Sequence, residues 1–337
     1  MIIKPQPIAA LAAAIAAAGL AAWPASSAGP GPLVLERTIA LAGVAGRIDH
    51  MAIDLKRHRL FVAELGNGTV DVVDLEQGRS IKRISGLQEP QGLAYLPATD
   101  QLVVATGGDG AVRFYAGPDL TPAGEVSLGD DADNVRVDEA TGQVVVGYGA
   151  GGLALIDPVQ KKVLKTIALG AHPEGIRLDP KSRRAFVNVP NARRIAAVDL
   201  QTGAVRTWST GLAFANFPMS LNAADARLAT VFRTPAQLAL VDMNSGAITE
   251  RHATCGDSDD VFFDPPRRNI YVSCGQGLVE VFHSDGGPYA SAGRVATRPG
   301  ARTSLLSPEL DRLFVAARAA EGAPAAILVY RPSSAGR

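Results

Sequence analysis

Residues Gly46–Leu87 read GRIDHMAIDLKRHRLFVAELGNGTVDVVDLEQGRSIKRISGL. An alternating run at His50–Asp54 leads to an apolar run at Arg59–Ala63, the turn Gly66-Asn67-Gly68, a third run at Thr69–Leu75, a turn at Gln77-Gly78 and a fourth run at Ser80–Ile84. Four short strands joined by tight turns predict one antiparallel sheet. The same grammar then recurs to the end of the chain. The residues just ahead of each first strand are Asp49, Gln91, Asp133, Glu174, Phe217, Asp259 and Arg302, spaced by 42, 42, 41, 43, 42 and 43 positions. A constant period about four strands long marks a blade repeat rather than helical units.

Seven second strands follow these positions, among them Leu60-Phe61-Val62-Ala63, Leu102-Val103-Val104-Ala105, Ile270-Tyr271-Val272 and Leu313-Phe314-Val315-Ala316. The last repeat stops after its third strand, at Tyr330, and its missing fourth strand is expected upstream at Leu33–Ile39, which is patterned like the outer strand Lys161–Leu169. Pairing the N-terminal strand with the C-terminal blade leaves no sheet edge open. The prediction is all-β: a seven-bladed β-propeller of four-stranded antiparallel blades, closed by that pairing.

Met1–Ala28 reads as a secretory signal, with Lys4 ahead of a long Ala/Leu/Ile run and a small-residue cleavage pattern at Pro24–Ala28. The alternative, a membrane anchor, has an apolar run barely long enough to span, broken by Gly19 and Pro24. Residues 29–337 are then a single propeller domain, exported to the periplasm or secreted and expected to be monomeric, with no membrane span after cleavage. The 33 basic and 33 acidic residues balance, so nothing draws the chain to a phosphate backbone, and nucleic acid is excluded as a partner. Cys255 and Cys274 fall on one face of neighbouring blades, which suits a disulfide in an exported protein. Two free thiols are the alternative.

The crossovers from each outer strand to the next inner strand emerge on one face, around the axial channel. They carry Asp49, His50, Gln91, Asp133, Asn134, Glu174, Phe217, Asp259, Asp260 and Arg302, the candidate ligand-binding set. The turns on the opposite face, such as Asp54–Arg57 and Asp138–Gly142, are ordinary Asp/Pro/Gly turn chemistry. Carboxylates converging from different blades suit a hard divalent cation, calcium or magnesium, with Asp49, Asp133, Glu174 and Asp259 as the candidate ligands. The same side chains also suit strand-end capping and hydration of a water-filled channel. His50 and His172 are candidate general bases, and Arg302 is a candidate clamp for a substrate carboxylate or a charge balance for Asp49 or Asp259. Arg193, Arg194, Arg233 and Arg318 against Asp109, Asp130 and Asp131 would divide this face into basic and acidic sides. Phe217, with Trp208 and Phe214 near it in sequence, would floor a ligand pocket or plug the channel. Gly147–Gly152 satisfies G-x-G-x-x-G, but a strand follows it, so it reads as a hairpin.

Over about residues 33–331, the second-strand runs, the Asn-Gly-like turns and the third-strand endings Val73-Asp74-Leu75, Val198-Asp199-Leu200 and Val241-Asp242-Met243 resemble the exported YVTN-type β-propeller repeat proteins. That resemblance implies the seven-bladed ring and no particular activity. A more distant likeness of fold, to streptogramin-lyase and gluconolactonase propellers, implies a divalent metal in the channel mouth. The functional expectation is an exported propeller binding a small ligand, a metal or another exported protein at its acidic mouth. The alternative is a metal-dependent lactonase or lyase using the same carboxylates and a histidine. A structural adaptor without a small-molecule site is a third reading.

Overall fold

A computed structural model describes residues 31–333, and the signal sequence expected at residues 1–28 lies outside them. The described residues form seven four-stranded antiparallel sheets. Blade 1 comprises Met51–Asp54, Arg59–Glu64, Thr69–Asp74 and Arg79–Ser85. Blades 2 to 6 repeat the plan with inner strands Pro90–Leu96, Ala132–Asp138, Ile176–Asp179, Phe214–Asn222 and Ser258–Asp264. Blade 7 takes Thr303–Ser307, Arg312–Ala317 and Ala325–Pro332 from the C-terminal end and Leu33–Leu41 from the N-terminal end. Helical structure among the described residues amounts to three single 3-10 turns, and no helix there is long and apolar enough to cross a membrane.

The second strands are apolar without interruption because both of their faces are buried. In blade 1, Leu60 and Val62 pack toward blade 7, whereas Phe61 and Ala63 pack toward blade 2. Alternation along a strand sends successive side chains to opposite faces, so one strand serves two cores. The core is accordingly seven slabs, one in each gap between neighbouring blades. The Asp ending a third strand secures the turn that follows. Asp199 accepts the amides of Gln201 and Thr202, both at 2.8 Å, and Asp157 does the same for Val159 and Gln160. The G-x-G-x-x-G match is a hairpin, with one strand ending at Tyr148 and the next starting at Gly152.

Cys255, just past the outer strand of blade 5, and Cys274, at the end of the second strand of blade 6, form a disulfide with Cα atoms 5.9 Å apart. It closes a loop of 19 residues' separation, and loop-closure entropy of that size is worth about 3 kcal/mol. Replacing both cysteines by alanine is therefore expected to lower the urea midpoint of unfolding by an amount corresponding to about 3 kcal/mol. An unchanged midpoint would show that the bond constrains nothing.

Glu64, at the mouth end of blade 1, is fully buried, accepts the Thr69 hydroxyl and leaves Oε1 without a partner. Arg83 lies 3.8 Å away but is committed to Asp71 at 2.6 Å. Burial, with Asp71 adding repulsion, pushes Glu64 up from 4.5 to about 7. Between those two values the folded chain keeps a proton that the unfolded chain releases. Stability therefore falls as pH rises through that window. Glu64→Gln is expected to flatten the fall and to be more stable than the parent at pH 8, read from urea midpoints at pH 5 and pH 8. Parallel pH profiles for the two proteins would refute this.

Candidate functional site

The residues ahead of the inner strands meet at one mouth of the channel because four of those strands are irregular there. The pairing register shifts between Pro90 and Leu93, Ala132 and Val135, Asn216 and Met219, and Ser258 and Asp260. A bulge re-aims side chains that a regular pleat would send into the inter-blade cores, and these bulges hold Gln91, Asp133, Asn134, Phe217 and Asp259. Two glycines let the backbones crowd toward the axis. A Cβ at Gly92 would sit 1.8 Å from the Asp133 carbonyl oxygen, and one at Gly175 would sit 2.4 Å from that of Phe217. In blade 5, Asn188 donates to the carbonyls of Phe217 and Pro218 at 3.2 and 2.9 Å, while Asn216 donates to the Asn188 side chain at 2.9 Å. That buried amide pair fixes the Phe217 bulge.

The mouth opens as a bowl of about 690 Å³ containing Gln91, Asp133, His172, Glu174, Phe217, Asp259 and Arg302. A narrow chamber of about 30 Å³ below it adds Asp49, His50, Asn134 and Asp260. Every residue of the candidate set thus lines one continuous depression. Trp208 and Phe214 do not. Trp208 stacks on Phe186 in the wall between blades 4 and 5, and Phe214 lies beneath the Arg193 guanidinium.

Within the mouth the charges sort into separate groups. Asp49 is taken up by Arg47 at 2.6 Å and His50 at 2.9 Å. Asp259 is taken up by Arg233 at 2.6 Å and Arg302 at 2.9 Å, and Arg302 also reaches Asp257 at 2.6 Å. Arg302 therefore balances Asp259 and Asp257. Asp133 and Glu174 lack any such arginine and instead gather around His172, whose Nε2 is 3.9 Å from Asp133 and 4.0 Å from Glu174. Donor atoms of Asp133, His172 and Glu174 all fall within 4.8 Å of one another. Asp133 is 5% exposed and its Oδ1, like the Oδ1 of neighbouring Asn134, has no hydrogen-bond partner. The second ring nitrogen of His172 lies 2.7 Å from the Gly149 carbonyl, which fixes the ring and, with Nδ1 as the donor, leaves Nε2 to face the carboxylates.

The electrostatics follow from this sorting. Burial, reinforced by Asp133, pushes Glu174 up to about 8, and Asp133 lifts His172 to about 9. Burial opposes charge on both members of the Asp49–His50 pair, but their mutual attraction wins, holding Asp49 at about 2 and raising His50 to about 9. Burial raises Asp260 to about 7. Protons thus occupy the acidic side of the mouth at neutral pH, where three arginines face six carboxylates around the bowl. A histidine held near 9 is already protonated at pH 7, so His50 is equipped to give a proton rather than take one, and a cation bound at His172 and Glu174 would have to displace their protons.

The fold and the site together define a seven-bladed propeller with a charged channel mouth. No protein-family model matches the sequence, and no curated protein does. Among solved structures the chain is similar to a chain of hydrazine synthase from Kuenenia stuttgartiensis, at 13% identity and a TM-score of 0.71, covering 85% of this chain and 96% of that one. A likeness at that identity is one of fold.

Proposed function

We propose that this is an exported propeller, periplasmic or secreted, that binds a small ligand through a divalent cation held at its mouth by Asp133, His172 and Glu174. The observation that carries the reading is the gathering of donor atoms from these three residues within 4.8 Å of one another, around an Asp133 carboxylate that is 5% exposed and meets no arginine among the described residues. Three protein donors leave a coordination position open for a ligand oxygen, as catalytic zinc sites do. An imidazole among the donors shifts the choice from calcium or magnesium, expected from carboxylates alone, toward zinc or manganese. The disulfide supports export. A lactonase or lyase is the second reading, favoured by His50, backed by Asp49, standing 3.9 Å from Asp133 as a proton donor beside the cation.

The test is calorimetric titration of chelator-stripped protein with zinc, manganese, calcium and magnesium. One equivalent of zinc or manganese is expected to bind, more tightly than calcium or magnesium. Silence from all four metals would overturn the cation site and leave the mouth to a partner protein.

A further inference from the structure

Past the level of His50 the inner strands line a second chamber, of about 340 Å³, on the far side of the channel from the bowl. Two of these strands read Val135-Arg136-Val137 and Ile176-Arg177-Leu178. In each triplet the flanking apolar residues turn into the inter-blade cores. Alternation then leaves Arg136 and Arg177 to the axis, side by side on neighbouring blades. Their hydrogen bonds go only to backbone. Arg136 donates to the Ile176 carbonyl at 2.9 Å and to that of Val135 at 2.6 Å, and Arg177 donates to the same Ile176 carbonyl at 2.8 Å.

Neither guanidinium forms an ion pair with a carboxylate among the described residues, whereas Arg47, Arg233 and Arg302 in the mouth each do. The carboxylate of the chamber, Asp260, gives one oxygen to the Ser304 amide at 2.7 Å. The remaining walls are largely apolar, from Met51, Leu93, Phe262 and Leu305 among others. Asp260 and, for Arg136, Asp133 act on these guanidiniums only at a distance, so two adjacent half-buried cations lack a contacting anion, which is costly unless something pairs with them.

We propose that this lower chamber, which meets the floor of the mouth at His50, Arg136 and Asp260, is a second binding site, for a small amphipathic carboxylate. Its carboxylate lies between Arg136 and Arg177, and its apolar body lies against Met51, Leu93, Phe262 and Leu305. The chamber has the size of a small-ligand pocket, and the guanidinium fork matches a carboxylate. A small, strongly hydrated anion such as phosphate would lose water to these walls without compensation. Burial and the neighbouring Arg177 push Arg136 down to about 9, outweighing the opposing pull of Asp260 and Asp133.

The test is calorimetric titration of the protein with octanoate and, separately, with inorganic phosphate. Octanoate is expected to bind one equivalent and phosphate far more weakly. Arg136→Met and Arg177→Met are each expected to weaken octanoate at least about 10-fold, with ligand-free melting temperatures at or above the parent's. Leu305→Glu supplies the chamber with its own carboxylate and is expected to abolish octanoate binding with both arginines in place. His172→Ala removes a cation donor that does not line the lower chamber and should leave octanoate unaffected, so the fate of the cation site is read independently. Absence of octanoate binding, phosphate binding as tightly, or octanoate binding that survives Leu305→Glu would each overturn the assignment.

Discussion

A chain that begins after Leu41 is expected to lose cooperative unfolding and to associate. Strand Leu33–Leu41 runs antiparallel to Ala325–Pro332 from the Leu33↔Pro332 pair to the Leu41↔Ala325 pair, with one bulge between Leu35 and Arg37. It delivers Leu33 to the slab between blades 6 and 7, and Ile39 and Leu41 to the slab between blades 7 and 1. Removing it uncovers two of the seven slabs and leaves the third strand of blade 7 as a bare edge, the geometry that invites pairing with another chain. A milder form of the experiment is Ile39→Ala, at a side chain 1% exposed. Such a deletion costs about 2–5 kcal/mol. The measurement is urea unfolding followed by fluorescence, with sedimentation for the truncated chain. A truncated protein that stays monomeric and unfolds at the parent's midpoint would mean the ring is not held by this strand.

Most of the ring was legible in the sequence because a blade is a local object. Its turns carry their own chemistry, and runs such as Leu60-Phe61-Val62-Ala63, apolar on both faces, belong only where a sheet is covered on both sides. The membership of the mouth was legible for the same reason, since each candidate stands at one offset from its inner strand. Which charges pair was not. The side-chain directions of Asp49, Asp133 and Asp259 are set by bulges and crossovers, where the period of two no longer predicts orientation. Asp49 and Asp259 consequently turned toward arginines and His50, and Asp133 and Glu174 toward His172.

Trp208 shows the opposite failure. Nine positions separate it from Phe217, yet it sits on the outer strand Val205–Ser209 of blade 4 while Phe217 stands at the axis of blade 5. Closeness in number spans the full radius of the ring at such a crossover. Arg136 and Arg177 carry a plain signal of their own: a charge set between two apolar residues of an inner strand, repeated 41 positions later in the next blade.

Asp133 and Asp259 give the sharpest contrast the mouth offers, since both are acidic, both face the bowl and both stand at the same offset in their blades. Asp259 has spent its oxygens on Arg233 and Arg302, whereas Asp133 meets no arginine among the described residues and turns Oδ2 to the His172 it shares with Glu174. Asp133→Asn is therefore expected to weaken zinc or manganese binding on the order of 100-fold or more, beyond the loss typical of outer-shell partners. Asp259→Asn should weaken it less than about 10-fold. Stability should move the other way in the metal-free protein. Removing the Asp133 charge relieves repulsion on Glu174 but takes an anion from His172 and His50, so Asp133→Asn should melt close to the parent, while Asp259→Asn leaves two arginines short of an anion and should melt lower. Saturating metal, at about 100 times its dissociation constant, is worth about 2.7 kcal/mol to a protein that binds it only when folded. The parent and Asp259→Asn should gain that increment in a thermal melt, and Asp133→Asn should not. Equal metal responses from the two variants would mean that the cluster around His172 is a buried charge network and not a cation site.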